Sequence, residues 1–310
     1  MAQSIIITAT ADSIRQVKEL LDAGVDRIYV GEEEYGLRLP HNFSYDDLRE
    51  IAYLVHEAGK SLTVAANALM HQGMMDQAAP FLSFCQEIGV DYLVVGDTGL
   101  IYVNKRDGYN FPIIYDASVF VTSSRQVNFW KAHGCVEAVL AREIPKAELE
   151  DIAKNLQMPA EILVYGASVI HHSKRALLEN YYHFIESDET DLSKDRGLFL
   201  AEPSDKDSHY SIYEDKHGTH IFMNKDITMM TKLKDLVDMG YCHWKLDGIY
   251  CPGDDFVAIT KYFIAAKEAL EAGTFTMDQA YVWDEAIRTH HPAGRELDTG
   301  FYDYDRNRVK

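Results

Sequence analysis

Short, almost purely apolar runs recur along this chain, separated by longer stretches in which apolar residues fall at helical spacing. The runs predict strands at 4–9, 27–31, 61–67, 92–96, 112–116, 137–142, 160–165 and 243–248. Amphipathic segments lie between the first seven. The clearest is SYDDLREIAYLVHEA (44–58), with a serine cap followed by apolar residues at i, i+3 and i+4 spacing. Several junctions share one grammar: LLDAGVDRIYVGEE (20–33), HEAGKSLTVAAN (56–67), CQEIGVDYLVVGD (85–97), KAHGCVEAVLARE (131–143) and VDMGYCHWKLDG (237–248). In each, a helix ends at a glycine suited to a left-handed cap, and an apolar strand follows within a few residues. Continuous rather than alternating apolar strands suit a parallel sheet covered on both faces. Eight such units, with no GxGxxG after the first strand, predict an α/β fold of the (β/α)8 TIM-barrel type rather than an open doubly wound sheet.

The rhythm breaks between the seventh and eighth strands. Residues 167–225 form a long insertion rich in His, Asp, Ser, Lys and Tyr. Its middle, 185–218, is polar enough to be mobile, and YSIYEDKHGTHIFM reads as a hairpin turning at Lys216-His217-Gly218. An insertion after a barrel strand belongs to the catalytic face, so this one is expected to lid the mouth. A helix near 254–272 completes a barrel domain over 1–273. The remainder, 274–310, is expected to pack on it through Phe301, Tyr302 and Tyr304.

Composition narrows the function. Acidic residues number 49 against 30 basic, a formal charge of −19. Such a field disfavours unaided, non-specific binding to a phosphate backbone. No 18-residue apolar run occurs and the N-terminus lacks a signal-peptide pattern, so a cytoplasmic protein is expected. Cys85, Cys135, Cys242 and Cys251 have no paired-ligand spacing and read as reduced, buried thiols.

In a barrel, the ends of the strands nominate the mouth. They offer Thr8, Glu32, Asn67, Asp97, Asp116, Arg142, Glu143, Tyr165 and Asp247, and the loops add His171, His172, Lys174, Arg175, Lys225 and Asp226. Such a ring, carrying both signs of charge, suits a small anionic ligand or a hydrogen-bonded base. Arg142, Glu143 and Asp116 equally suit an ion network that closes the barrel. Lys174 and Arg175 suit either a phosphate grip or a solvated first helical turn. Adjacent His171 and His172 have no chelating spacing, so no metal is expected. There is no GxSxG elbow to support nucleophilic hydrolysis.

The segment EILVYGASVIHHSKRALLENYYHF (161–184) resembles the signature of the U32 family of collagenase-like peptidases. Glu161, Gly166, Ala167, Ser173 and Leu177-Leu178 match. The family histidine becomes Tyr165, one cysteine becomes Val169 and another Ala176. SKRALLENYY (173–182) is similar to a short Gram-positive branch. AGVDRIYVGEEEYGLR (23–38), VLARE (139–143), Asn224-Lys225-Asp226, KLDG (245–248) and TGFY (299–302) follow in family order.

The resemblance implies several things. Some relatives hold an iron–sulfur cluster with four cysteines; here the positions are Val169, Ala176, Phe199 or Leu200, and Thr228, so no such cluster is expected. The family label implies a peptidase, whereas other members are implicated in hydroxylating the tRNA wobble uridine, in ribosomal RNA modification or in ubiquinone synthesis. The short branch resembles the tRNA group, where two members often work together. The expected function is therefore a component of tRNA hydroxylation, with a second U32-family protein as partner, tRNA reached through it, no membrane, and a homo-oligomer as an option. The alternatives are a peptidase and a non-catalytic binding subunit. Expected catalytic residues are His171, Glu143, Asp116 and Tyr165, with His171 for proton transfer. Arg142, Lys174, Arg175, Asn67, Glu32 and Asp247 are expected to bind substrate.

Overall fold

Each apolar run becomes a strand, and the strands close on themselves. The computed structural model describes residues 4–116 and 120–307. Eight parallel strands make the barrel: β1 (Ile6–Thr10), β2 (Arg27–Val30), β3 (Ser61–Ala66), β4 (Tyr92–Val95), β5 (Ile113–Tyr115), β6 (Cys135–Val139), β7 (Ala160–Ser173) and, after the insertion, His243–Leu246. That last strand pairs with β1 at Ile6↔His243 and with β7 at Glu161↔His243, which completes the ring. The fold is a closed (β/α)8 barrel.

The helices form for the reasons legible in their sequences. Ser13 caps Ile14–Ala23 by accepting the Gln16 N–H. Ser44 and Asp47 form a reciprocal capping box at the start of Tyr45–Glu57. Gly24 ends the first helix at φ 101°, a left-handed conformation that a side chain would oppose. The outward faces of the strands and the inward faces of the helices share one apolar layer containing Leu20, Ile28, Leu48, Trp244, Phe256 and Phe263, all fully buried. At roughly 1.5–3 kcal/mol per buried large side chain, this layer dominates the stability.

The insertion differs from expectation in two ways. β7 does not end at Tyr165; it continues through Gly166 to Ser173 and pairs antiparallel with β10 (Gly218–Thr228). His171 and His172 therefore lie on a strand, not in a loop. The polar stretch 185–218, expected to be mobile, folds largely into β8 (Phe199–Glu202) and β9 (Asp205–Asp215), which extend the sheet in the order β7-β10-β9-β8. Edge pairing satisfies backbone donors and acceptors without needing an apolar core, so polarity alone was a poor guide. The β9–β10 hairpin turns at Lys216-His217, as its sequence predicts.

The numbering then gives β11 to the closing strand His243–Leu246 and β12 to Glu296–Asp298. In the C-terminal part, the helix Met277–His290 lies against Asp254–Glu271, and β12 pairs with β10. Tyr302 is buried and donates its hydroxyl to Asp235 at 3.2 Å; Phe301 is half-buried and Tyr304 is exposed. Residues 308–310 lie outside the described residues. No helix among the described residues is long and apolar enough to cross a membrane.

Candidate functional site

The barrel mouth holds a cavity of about 390 Å³, within the range of small-molecule sites. Its polar wall comes from successive strand ends. Asn67, just past β3, accepts the Leu37 N–H at 2.9 Å and donates to the Asp116 carboxylate at 3.3 Å. Asp116 itself follows β5 and is buried. Gly96, past β4, lies between them: a Cβ there would come within 2.7 Å of the Asn67 carbonyl oxygen and 2.9 Å of that of Asp116. Arg38, His171 and His172 complete the polar lining, while Leu37, Leu69, Phe120, Val169 and Ile170 supply apolar surface. Leu69 and Phe120 are strongly exposed at the rim.

Beneath this cavity lies a second polar tier. The Arg142 guanidinium donates to the Ala167 carbonyl at 3.1 Å. Burial lowers its pKa from the ordinary value, while Asp247 and Asp116 act the other way. Asp247 is buried and accepts the Ile249 N–H at 3.1 Å. The Tyr29 hydroxyl is enclosed and has no hydrogen-bond partner among the described residues. Burial first, then the charges of Asp116 and Asp247, push it well above the usual phenol range.

The insertion docks on the loop that follows β2. Lys194 Nζ donates to the Pro40 carbonyl at 2.6 Å, Lys216 pairs with Glu34 at 2.5 Å, and His217 Nε2 lies 2.8 Å from the Glu33 carbonyl. These contacts line a neighbouring cavity of about 300 Å³ that shares Arg38 with the first. Arg38 is held at φ 55°, a left-handed conformation costly for a residue with a side chain.

Of the residues nominated from sequence, Asn67, Asp116, His171 and His172 meet at one cavity, with Arg142 and Asp247 close below. Others lie elsewhere. Tyr165 is fully buried on the helix side: its ring packs beside Phe256 and Phe263, and its hydroxyl is 2.7 Å from His291 Nδ1. A bulge between the pairs Lys245↔Leu163 and Leu246↔Tyr165 reverses the side-chain alternation there. Glu143 faces a separate cleft against the C-terminal part, beside Lys225, Asp298 and Phe301. The Glu32 carboxylate is occupied within its own turn, accepting the Glu34 and Tyr35 N–H groups at 2.8 and 2.7 Å. Lys174 and Arg175 are exposed at the tip of the insertion, where Lys174 Nζ donates to the Lys216 carbonyl at 2.8 Å. Lys225 and Asp226 bind the C-terminal part: Lys225 pairs with Glu296, and Asp226 takes a two-pronged contact from Arg295. Asp97 caps a helix by accepting the Gly99 N–H.

Sequence reasoning missed Arg38, Tyr29 and Phe120. Arg38 had one available signal, its place in the long connection between β2 and the next helix, on the catalytic face. The positions nominated for cluster cysteines do not fit an iron–sulfur group. Val169 packs with Tyr213, Phe222 and Ile249, and Thr228 donates its hydroxyl to Asp284 at 2.9 Å.

The tRNA hydroxylation protein P2 of Bacillus subtilis (strain 168) is 30% identical over 302 residues, covering 95% of each chain. The tRNA hydroxylation protein P of Escherichia coli (strain K12) is 25% identical, and P1 of Bacillus subtilis is 23% identical; each match covers 78% of this chain. The chain spans only 63% and 58% of those two longer relatives. The model of Peptidase family U32 matches residues 12–309, and the chain belongs to that family.

Proposed function

We propose that this protein is a component of tRNA wobble-uridine hydroxylation whose working site is the barrel mouth. The observation that carries the reading is the convergence of Asn67, Asp116, Arg38 and His171 on one cavity, in a chain similar over 95% of its length to a tRNA hydroxylation protein. In this reading His171 moves a proton, Asp116 and Asn67 orient the substrate, and Arg142 with Arg38 holds an anionic group. The protein works without an iron–sulfur cluster, in the cytoplasm. Bacillus subtilis has two such relatives, P1 and P2, which supports a second family member as partner. That partner supplies the basic surface for tRNA that a charge of −19 disfavours here.

The peptidase reading gains no comparable support. Burial raises all four thiols, Cys135 to about 12 and Cys251 to about 11, which makes them poor nucleophiles. Mass spectrometry of tRNA from a strain deleted for this chain tests the proposal. Loss of wobble-uridine hydroxylation, restored by the parent gene, is expected. Unchanged hydroxylation in a strain that lacks any second route overturns it.

A further inference from the structure

The mouth cavity combines two features that a site for a small polar metabolite does not need. Its rim carries two large apolar side chains left in solvent, Phe120 at 71% and Leu69 at 62% exposure. Its wall carries a fixed pair, the Asn67 amide beside the Asp116 carboxylate, 3.3 Å apart and both nearly buried. The pair is immobilised. Asn67 is oriented by the Leu37 N–H, and Gly96 leaves room for the two backbones to approach. An exposed aromatic ring at the entrance and a donor–acceptor pair inside match the two parts of a planar heterocycle, its face and its edge.

We infer that the cavity receives a single unstacked uracil, with Phe120 stacking on the base and the Asn67–Asp116 pair reading its imide edge. The inference rests on the RNA-modification reading above and assigns it a base-recognition site. Uracil presents a donor, N3–H, between two carbonyl acceptors. The Asp116 carboxylate accepts from N3–H, and an Asn67 amide N–H donates to the adjacent carbonyl oxygen. Cytosine places an acceptor at N3, so its lone pair faces the carboxylate and the site rejects it. A base can reach a buried pair of this kind only by leaving its stack, at a cost of a few kcal/mol. Stacking on an exposed ring offsets that cost, which gives Phe120 a reason to remain in water.

The test uses the full chain in the deletion strain, with the partner at its natural level. Phe120→Leu keeps the apolar bulk and removes the aromatic face, whereas Phe120→Trp keeps the face. Phe120 is exposed, so neither change threatens folding. Hydroxylation is expected to fall at least tenfold with Phe120→Leu and to stay within about threefold of parent with Phe120→Trp. In parallel, the chain purified together with its partner from the complemented strain is titrated with RNA hairpins carrying a single loop uracil or cytosine, next to a 2-aminopurine that brightens when its neighbour unstacks. The uracil hairpin is expected to bind at least tenfold tighter and to brighten, and Asp116→Asn to reduce the preference to under threefold. Full hydroxylation with Phe120→Leu overturns the stacking role. Equal affinity for both hairpins, or binding without brightening, overturns base recognition in this cavity. Those failures leave the function standing if the deletion strain still loses the modification; if that strain keeps it, the function itself has failed.

Discussion

The barrel contains two buried charged clusters, one at each end, and they are built on opposite principles. At the strand entrances, Arg27 pairs with Glu137 at 2.7 Å and stacks 4.3 Å above the Tyr92 ring, while His243 Nδ1 lies 2.9 Å from the same Glu137 oxygen. Above them Lys245 sits 3.8 Å from the Tyr29 ring centre, on the side facing Glu161, whose carboxyl burial raises to about 7. Cations and carboxylates there compensate one another within the protein. At the exits, Asp116 and Arg38 line a cavity, Arg142 interacts electrostatically with Asp116 and Asp247, the Tyr29 hydroxyl has no partner among the described residues, and Arg38 is in a costly backbone conformation. The first cluster spends its charges on closing the barrel. The second sets charged groups of both signs at an opening, the arrangement expected of a ligand site.

The largest effect should come from breaking the entrance cluster. Glu137→Ala leaves Arg27 buried without its counter-charge, and such a loss costs about 3–5 kcal/mol. Urea denaturation should show a drop of that size, with the mouth variant Asp116→Asn losing about 1 kcal/mol or less. If the two lose equal stability, the division between a structural and a working end collapses.

That division was only half legible in the sequence. Strand positions, capping glycines and the turn at Lys216-His217 could be read because each follows from local pattern and backbone preference. The charged interior could not. In strands of four or five residues, nothing local says which alternate faces the axis, so Arg27, Glu137 and Lys245 passed as interruptions in apolar runs. The strand expected over 160–165 does not stop before Gly166. Gly166 lies within β7 at φ 123°, where a Cβ would come within 2.3 Å of the Asp247 carbonyl oxygen, so glycine serves there as a close-packing point. Asn67 and Asp116 share one cavity because barrel topology alone sends strand ends to one face, whereas His171, expected in a loop, reaches it on the extension of β7. Tyr165 was misplaced because a bulge, invisible in sequence, turned it outward.

A smaller change should separate stability from function at the exits. Arg38→Gly removes the left-handed strain, adds backbone entropy to the unfolded chain and gives up the contacts of the guanidinium, effects that largely offset one another. Stability is expected to stay within about 1 kcal/mol of parent by urea denaturation, while tRNA hydroxylation in the complemented strain falls at least tenfold. Loss of several kcal/mol instead would place Arg38 among the residues that hold the fold.

The smallest effect is a difference in pH response, and there the two regions titrate in opposite senses. Burial pushes His172, stacked 4.6 Å from His220, down from 6.5 to about 4, although its contact with the His217 carbonyl opposes the shift. Between pH 6.5 and 4 the unfolded chain therefore binds more protons at this position than the folded one, and stability falls as pH drops through that window. His220 is lowered in the same direction by burial, against the pull of Asp215, and the positive charge of Arg38 lowers both rings. Glu161 acts the other way: with its carboxyl raised to about 7, the folded state binds the extra proton between 4.5 and 7, so acidification favours folding there. The parent's net profile mixes both, and a variant is needed to isolate the mouth. His172→Gln keeps a polar side chain of similar reach but cannot take up a proton in this range. Its urea midpoint should lose less than the parent's between pH 7 and pH 5, with the two curves parallel above pH 7. Parallel curves across the whole range would mean that His172 is solvated well enough to titrate normally, and that the wall of the mouth is wetter than its packing implies.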